Sequence, residues 1–119
     1  MKYVDRGDPV TFDFSNPNFI FDSAWHSLDL SGIVPPAGAN QLVHISLTLV
    51  TSATAYWYIR ETGNVNNINR LSLQPISAGN WELSGWVMMD AVRKIDYYLA
   101  WTGITVARLS IRGWMEPVC

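Results

Sequence analysis

The sequence predicts an all-β protein, an antiparallel β-sandwich of eight or nine strands, and three observations support this fold class. Six tryptophans, five tyrosines and four phenylalanines occur among many valines, isoleucines and threonines, a mixture that favours pleated, half-buried surfaces. Apolar and polar residues alternate in several segments, and residues typical of turns separate these segments. A single sheet of that width would leave one apolar face in water, so two packed sheets of the jelly-roll type are expected. A closed barrel is the alternative, and the strand order stays open.

The clearest strand spans residues 41–51, where Val43, Ile45, Leu47 and Leu49 alternate with polar residues and so form one apolar face. The same period of two recurs in residues 105–112. Seven further short segments are predicted as strands from their composition and from the turn residues around them: Val10 to Phe14, Phe19 to Phe21, Ala24 to Leu30, Ala53 to Arg60, Asn67 to Gln74, Trp81 to Asp90 and Lys94 to Trp101.

The length of 119 residues is that of one domain. Residues 9–119 are predicted to form a single β-sandwich domain, and residues 1–8 a loose N-terminal segment. The stretch Ser31 to Asn40 contains Pro35-Pro36 and Gly38, which predicts a long loop because proline interrupts regular hydrogen bonding.

Composition excludes several classes of function. Ten acidic and eight basic residues are spread thinly along the chain, so no cluster suits a run of phosphates and nucleic acid is not an expected partner. No apolar run approaches the roughly 20 residues of a membrane-spanning helix, so no membrane insertion is expected. Cys119 is the single cysteine, which excludes an internal disulfide and leaves a spare thiol or an interchain bridge.

Residues with catalytic or metal-binding chemistry form no recognisable pattern. His26 and His44 fall at strand positions expected to point away from the core, without further ligands at a metal-site spacing. No nucleophile motif occurs, and the tripeptide Arg6-Gly7-Asp8 is interpreted as a turn. We therefore expect no enzyme activity, no catalytic residues, no metal and no cofactor.

The parity of the aromatic residues is more informative, because neighbouring residues of a strand point to opposite faces. This parity places Trp57 and Trp101 among the predicted core anchors. It leaves a set of large side chains on outer faces, which we predict to form an exposed subunit interface: Tyr56, Tyr58, Trp86, Met88 and Tyr98. A platform on which sugar rings stack is the alternative, and the asparagines around Asn64 are compatible with it.

Three stretches of the chain resemble a known family. Residues 24–39, AWHSLDLSGIVPPAGA, are similar to the "aWhdLDLSsiVPaGA" segment of small β-sandwich modules in tailed-bacteriophage virion proteins, often found at tail-fibre ends. Residues 66–69 (NNIN) and 90–97 (DAVRKIDY) resemble the family's "D-x-x-R-x-I-x-Y" region, and residues 111–114 (IRGW) its closing "hrGWw". This chain departs from the pattern by a second proline and by continuing beyond Trp114.

The resemblance implies a non-enzymatic structural component located in the virion. It implies a homo-oligomer, a trimer being favoured, whose partners are other virion structural proteins or a host surface glycan. A capsid decoration or cement protein, or a small tail-accessory subunit, is expected to suit this chain better than a tail-fibre tip. The large rings of Trp25 and Trp114 complete the predicted core anchors.

Overall fold

A computed structural model describes residues 2–37, 40–66 and 70–116 of the chain, and these residues contain eight β-strands. A short 3-10 helix, Asn16–Asn18, is the one helical element in these ranges. The strands are β1 (Lys2–Asp5), β2 (Trp25–Asp29), β3 (Leu42–Thr51), β4 (Trp57–Glu61), β5 (Arg70–Leu73), β6 (Gly79–Met88), β7 (Lys94–Leu99) and β8 (Ile104–Glu116).

The strands form two four-stranded antiparallel sheets that pack face to face. Sheet I has the order β1-β8-β3-β6, and sheet II has the order β2-β7-β4-β5. This is the strand order of a jelly roll. The predicted fold class, an all-β antiparallel sandwich, is confirmed. Only β4 and β5 are neighbours both in the sequence and within a sheet, so most connections cross between the sheets.

Strand β3 is one of the two interior strands of sheet I. Its burial follows the alternation of apolar and polar residues that predicted it as a strand. Its residues are alternately half-buried and buried, and Val43, Ile45, Leu47 and Leu49 have no exposed surface. Strand β3 pairs with β6 on one side and with β8 on the other. Its inward side chains form the middle of a core that extends to Ile59 and Leu99 of sheet II.

The N-terminal region differs most from the sequence prediction. Residues 2–5, predicted to be loose, form β1 and pair with residues 113–116 of β8. The predicted strands 10–14 and 19–21 are absent, and only Phe14 makes an isolated bridge, with Leu109. The reason is local, because Pro9 and Pro17 interrupt regular pairing and Pro17 lies within the 3-10 helix.

The tripeptide Arg6-Gly7-Asp8 follows β1 as irregular backbone and not as the predicted turn, with Gly7 at a φ of 94°. The guanidinium of Arg6 forms an ion pair with the largely buried carboxylate of Asp13. The Arg6 side chain is therefore held against the N-terminal segment of its own molecule.

The four tryptophans predicted as core anchors separate into two groups. Trp57 is fully buried, Trp114 is 8% exposed, and both belong to the core. The assignment must be corrected for Trp101, which is 70% exposed beyond the end of β7, and for Trp25, which packs on the outer face of sheet II. Trp101 follows the last paired residue of its strand, so strand parity no longer determines its direction.

Some sequence predictions lie partly outside the described residues. Residues 67–69, with most of the asparagine motif and the start of one predicted strand, are among them, as are Gly38, Ala39 and Cys119. Within the described part of the chain, no helix is long and apolar enough to cross a membrane.

Candidate interaction face

Three tyrosines form a cluster on the outer face of sheet II, which we call the tyrosine face. Tyr58 of β4 and Tyr98 of β7 are paired across the strands, with ring centroids 5.6 Å apart. Tyr56 stacks on Tyr58 at 5.4 Å and lies 5.7 Å from Tyr98. All three rings are half-buried, which follows from their alternation with the inward residues Trp57 and Ile59.

Trp25 extends the tyrosine face onto β2. It is the cross-strand partner of Tyr98, and the two rings are 5.3 Å apart. The sequence contained a signal for this position, because the buried residues Leu28 and Leu30 have the opposite parity from Trp25. Alternate residues of a strand point to opposite faces, so Trp25 points outward if Leu28 and Leu30 point inward.

Two arginines border the tyrosine face and lie over its rings. The guanidinium carbon of Arg60 is 3.8 Å from the centre of the Trp25 ring, and that of Arg70 is 3.7 Å from the centre of the Tyr58 ring. Such stacking of guanidinium on aromatic rings is favourable by cation-π attraction. Sequence reasoning missed both arginines, because nothing local in the sequence brings β2, β4 and β5 together.

Asp96 holds Arg60 in this position. Its carboxylate accepts a hydrogen bond from Nε of Arg60 at 3.2 Å and another from the hydroxyl of Thr62 at 3.2 Å. Asp96 is only 9% exposed, so this ion pair is more shielded from solvent than an ordinary surface pair. The arginine is therefore fixed between a carboxylate and an indole ring, as part of a preformed surface.

The tyrosine hydroxyls have specific partners. The side-chain amide of Gln74 donates to the hydroxyl of Tyr58 at 3.0 Å, and the hydroxyls of Tyr56 and Ser23 are 3.2 Å apart. Burial raises the pKa of Tyr98, and the neighbouring Tyr56 raises the pKa further. The phenol of Tyr98 is therefore neutral near pH 7, and the positive charge at this face is that of Arg60 and Arg70.

A shallow groove of about 270 Å³ runs beside the tyrosine face. Its lining includes Tyr56, Tyr58, Gln74 and Pro75 and contains no charged residue. At the neighbouring end of the face, Ser23 accepts a hydrogen bond from the backbone of the exposed Trp101 at 3.1 Å. Ser23 has a φ of 56°, so this connection includes a backbone conformation that is uncommon for serine.

Trp86 and Met88 do not belong to the tyrosine face, and the prediction of one patch of five residues must be corrected. Both lie on β6 of sheet I, on the opposite side of the sandwich, so the strands that were expected to be neighbours belong to different sheets. Trp86 is 42% exposed and stacks on His44 of β3, with ring centroids 4.6 Å apart. Tyr3 packs edge-on against Trp86 at 5.5 Å.

The two histidines have different environments. His44 lies on the outer face of sheet I, as expected, and burial lowers its pKa below the ordinary value of 6.5, with a further contribution from Arg112. The prediction is wrong for His26, which lies on the inward side of edge strand β2, against the ring of Tyr97. Its Nε2 is 2.8 Å from a carboxylate oxygen of Asp22. Within residues 2–37, 40–66 and 70–116, no three His, Cys, Asp or Glu side chains form a group that could hold a metal ion.

Comparison of the chain with protein-family models, with curated proteins and with solved structures found no match. The motifs that carry the phage resemblance occupy structural positions. In the turn at residues 90–94, a carboxylate oxygen of Asp90 accepts hydrogen bonds from the backbone of Val92 and Lys94. Arg93 of this turn has a φ of 62°, and Gly113 passes directly beneath Tyr3.

Proposed function

We propose that this protein is a non-enzymatic structural subunit of a tailed-phage particle that self-associates, as a trimer, through its tyrosine face. The observation that carries the proposal is the continuous outer surface of Trp25, Tyr56, Tyr58 and Tyr98, bordered by Arg60 and Arg70. Tyrosine, tryptophan and arginine are the residues most enriched where protein surfaces bind one another. The phage particle is the context that the sequence resemblance supports.

The orientation of the rings favours a protein partner over a sugar. A stacking platform for sugars presents open ring faces to the ligand. Here Tyr56 and Tyr58 face each other, and guanidinium groups lie over the rings of Trp25 and Tyr58. What remains accessible are ring edges, hydroxyls and charged borders, a composition that suits the many small contacts of a subunit interface.

The substitution Tyr58→Ala tests the proposed interface. It removes the ring that contacts Tyr56, Tyr98 and Arg70, and we expect the oligomer to dissociate at concentrations where the parent protein remains assembled. Light scattering coupled to size-exclusion chromatography measures the mass. Phe12→Ala is the control, because it removes a partly exposed aromatic ring that belongs to neither the tyrosine face nor β6, and it should leave the assembly intact.

A folded Tyr58→Ala protein with the parent's mass at every concentration would contradict self-association through this face. Thermal unfolding and near-ultraviolet circular dichroism establish that each variant is folded. Purified phage particles provide the second test, since a structural subunit should be detected in them by mass spectrometry at a constant ratio to the other virion proteins.

Binding of a host glycan is the second candidate function, and the uncharged groove beside Tyr56 favours it. The groove offers the amide of Gln74 and two tyrosine rings, which suit a neutral sugar better than a charged one. Titration with host polysaccharide, followed by tryptophan fluorescence, should show saturation if a glycan binds, and Gln74→Ala should weaken it. A structural subunit without this activity should show no saturable response.

A further inference from the structure

We propose that the edge of β6, with which no strand of the described residues pairs, pairs with the β6 edge of a second copy of this chain and joins two copies of sheet I into one continuous sheet. This contact is separate from the tyrosine face and does not depend on the proposed function. The edge strand of any open sheet exposes unpaired backbone groups that can bind another strand.

The four edge strands of the sandwich are unequal. Within the described part of the chain, strands β1, β2 and β5 contain only four or five residues each, and each carries at least one charged side chain. Strand β6 has ten residues and a single charge, Glu82. Short length and charged side chains usually keep an edge strand from pairing. Strand β6 is the longest of the four edge strands and has one charged residue in ten.

The geometry of β6 also suits pairing. Its ten residues are paired with β3 without a register shift, whereas the pairing of β3 with β8 is interrupted twice. Bulges that would turn the edge away from a partner are therefore absent along described β6. Residues 86–88, at the end of β6, border an open cleft of about 210 Å³.

The side chains of β6 are incompletely covered within one molecule. Trp81 and Leu83 point toward the core yet remain half-buried, and on the outer face Trp86 is 42% exposed. A second strand placed beside β6 would cover all three. The structure therefore shows apolar surface on both faces of the same edge, which a second copy of the same edge would bury.

Symmetry determines how two such edges can meet. In a continuous antiparallel sheet, outward residues must pair with outward residues, so the two-fold axis passes beside a residue and not between two. We place the axis at Ser84, near the middle of β6. Glu82 of one copy then lies opposite Trp86 of the other, and no two like charges face each other.

Ser84→Lys tests this contact, because it would place two lysines opposite each other at the axis. The matched control is Ser110→Lys, which makes the same change on the same face of sheet I but on β8, an interior strand. We expect Ser84→Lys to halve the mass measured by light scattering and Ser110→Lys to leave it unchanged. A folded Ser84→Lys protein with the parent's mass would overturn the proposal.

A cysteine at the axis gives a second test. Residues directly opposite in an antiparallel pair are close enough for a disulfide, so Ser84→Cys in a Cys119→Ser background should form a covalent dimer under mild oxidation, of twice the 13.4 kDa chain mass. Ser110→Cys in the same background should stay monomeric on a non-reducing gel. Equal crosslinking of the two variants, or of neither, would overturn the proposal.

These outcomes separate the two contacts. If Tyr58→Ala lowers the mass and Ser84→Lys does not, the tyrosine face is an interface and the β6 edge is not. The opposite result rejects the tyrosine face and supports the edge. If each variant lowers the mass by a different factor, both contacts exist, and their combination extends a closed oligomer into a larger symmetric assembly.

Discussion

Protonation of His44 makes the stability of the folded protein depend on pH. Its ring stacks on Trp86, its Nδ1 is 3.4 Å from the hydroxyl of Tyr3, and burial is the main cause that lowers its pKa below 6.5. A histidine whose pKa is lower in the folded protein than in the unfolded chain binds protons more readily after unfolding. Folding is therefore favoured above pH 6.5 and loses stability as the pH falls below that value.

We expect the free energy of unfolding to decrease as the pH is lowered from 7 to 5, and part of this decrease to disappear in His44→Phe. Phenylalanine retains a ring against Trp86 but cannot take up a proton. Urea unfolding at several pH values measures the slope. An identical slope for the parent and for His44→Phe would show that His44 does not contribute to the pH dependence.

Gly113 is required because no side chain fits at its position. A Cβ atom there would collide with the backbone oxygen of Val4 and with the ring of Tyr3. We expect Gly113→Ala to destabilise the fold by about 1–3 kcal/mol, since backbone and ring cannot both move aside at low cost. Gly32→Ala is the control, because its Cβ would meet nothing within 4 Å, and thermal unfolding should show little change for it.

Among the elements, the segment between β1 and the 3-10 helix is attached to β8 of sheet I in part by a side chain. The Asp13 carboxylate accepts a hydrogen bond from the backbone N–H of Ile111 at 2.7 Å and also pairs with Arg6. Asp13 thereby takes the place of a backbone partner beside β8. Proline-interrupted segments can be joined to a sheet in this way without forming a strand of their own.

Asp13→Ala should therefore lower the free energy of unfolding more than an ordinary surface substitution does. It leaves the N–H of Ile111 and the guanidinium of Arg6 without this carboxylate, and we expect a loss of about 1.5–3 kcal/mol, as for hydrogen bonds to charged groups. The midpoint of urea unfolding measures the loss. Asp8→Ala, at an exposed position in the same segment, should lie within about 0.5 kcal/mol of the parent, and similar values for the two variants would contradict the attachment role.

The extent of the elements also shows what a sequence pattern can predict. Strands β3, β6, β7 and β8 were predicted with boundaries in error by a few residues, because alternation and turn residues are local features. Strand β1 was missed, since its four residues are short and carry charges at both ends. Its stability comes from pairing with β8, which lies more than a hundred residues further along the chain.

At the scale of the whole molecule, the tryptophans distinguish the core from the surface. Trp57 is fully enclosed, with Phe19 packed edge-on against it at 5.3 Å, whereas Trp101 is 70% exposed. We expect Trp57→Ala to destabilise the protein by about 3–5 kcal/mol through lost burial and a cavity. Trp101→Ala should change stability by no more than about 0.5 kcal/mol.

Chemical denaturation of the two tryptophan variants measures this difference directly. Equal losses would contradict the assignment of Trp57 to the core and Trp101 to the surface. The same pair separates folding from binding, because any effect of Trp101→Ala on association or on glycan titration would reflect the surface at the end of the tyrosine face.

The sequence predicted three tyrosines of the candidate interface correctly, but it did not predict which strands lie next to each other. Tyr56, Tyr58 and Tyr98 share one face because each alternates with inward residues of its own strand, and two of them are paired across β4 and β7. Trp86 was placed with them because β6 was expected beside these strands. Arg60 and Arg70 were not foreseen, since their ring contacts join different strands. Trp25 was wrongly assigned to the core, although the parity of its own strand indicates an outward direction.

Sequence patterns were sufficient to predict an antiparallel all-β fold, with a sandwich favoured over a closed barrel, and to predict which residues of β3 point inward. Both follow from the period of two along a strand, which is a property of neighbouring residues. The strand order, the separation of the aromatic residues onto two opposite faces and the position of β6 as a long edge became evident only in the folded molecule. These features depend on which strands pair, and pairing is set by the burial of the whole core and not by any one segment.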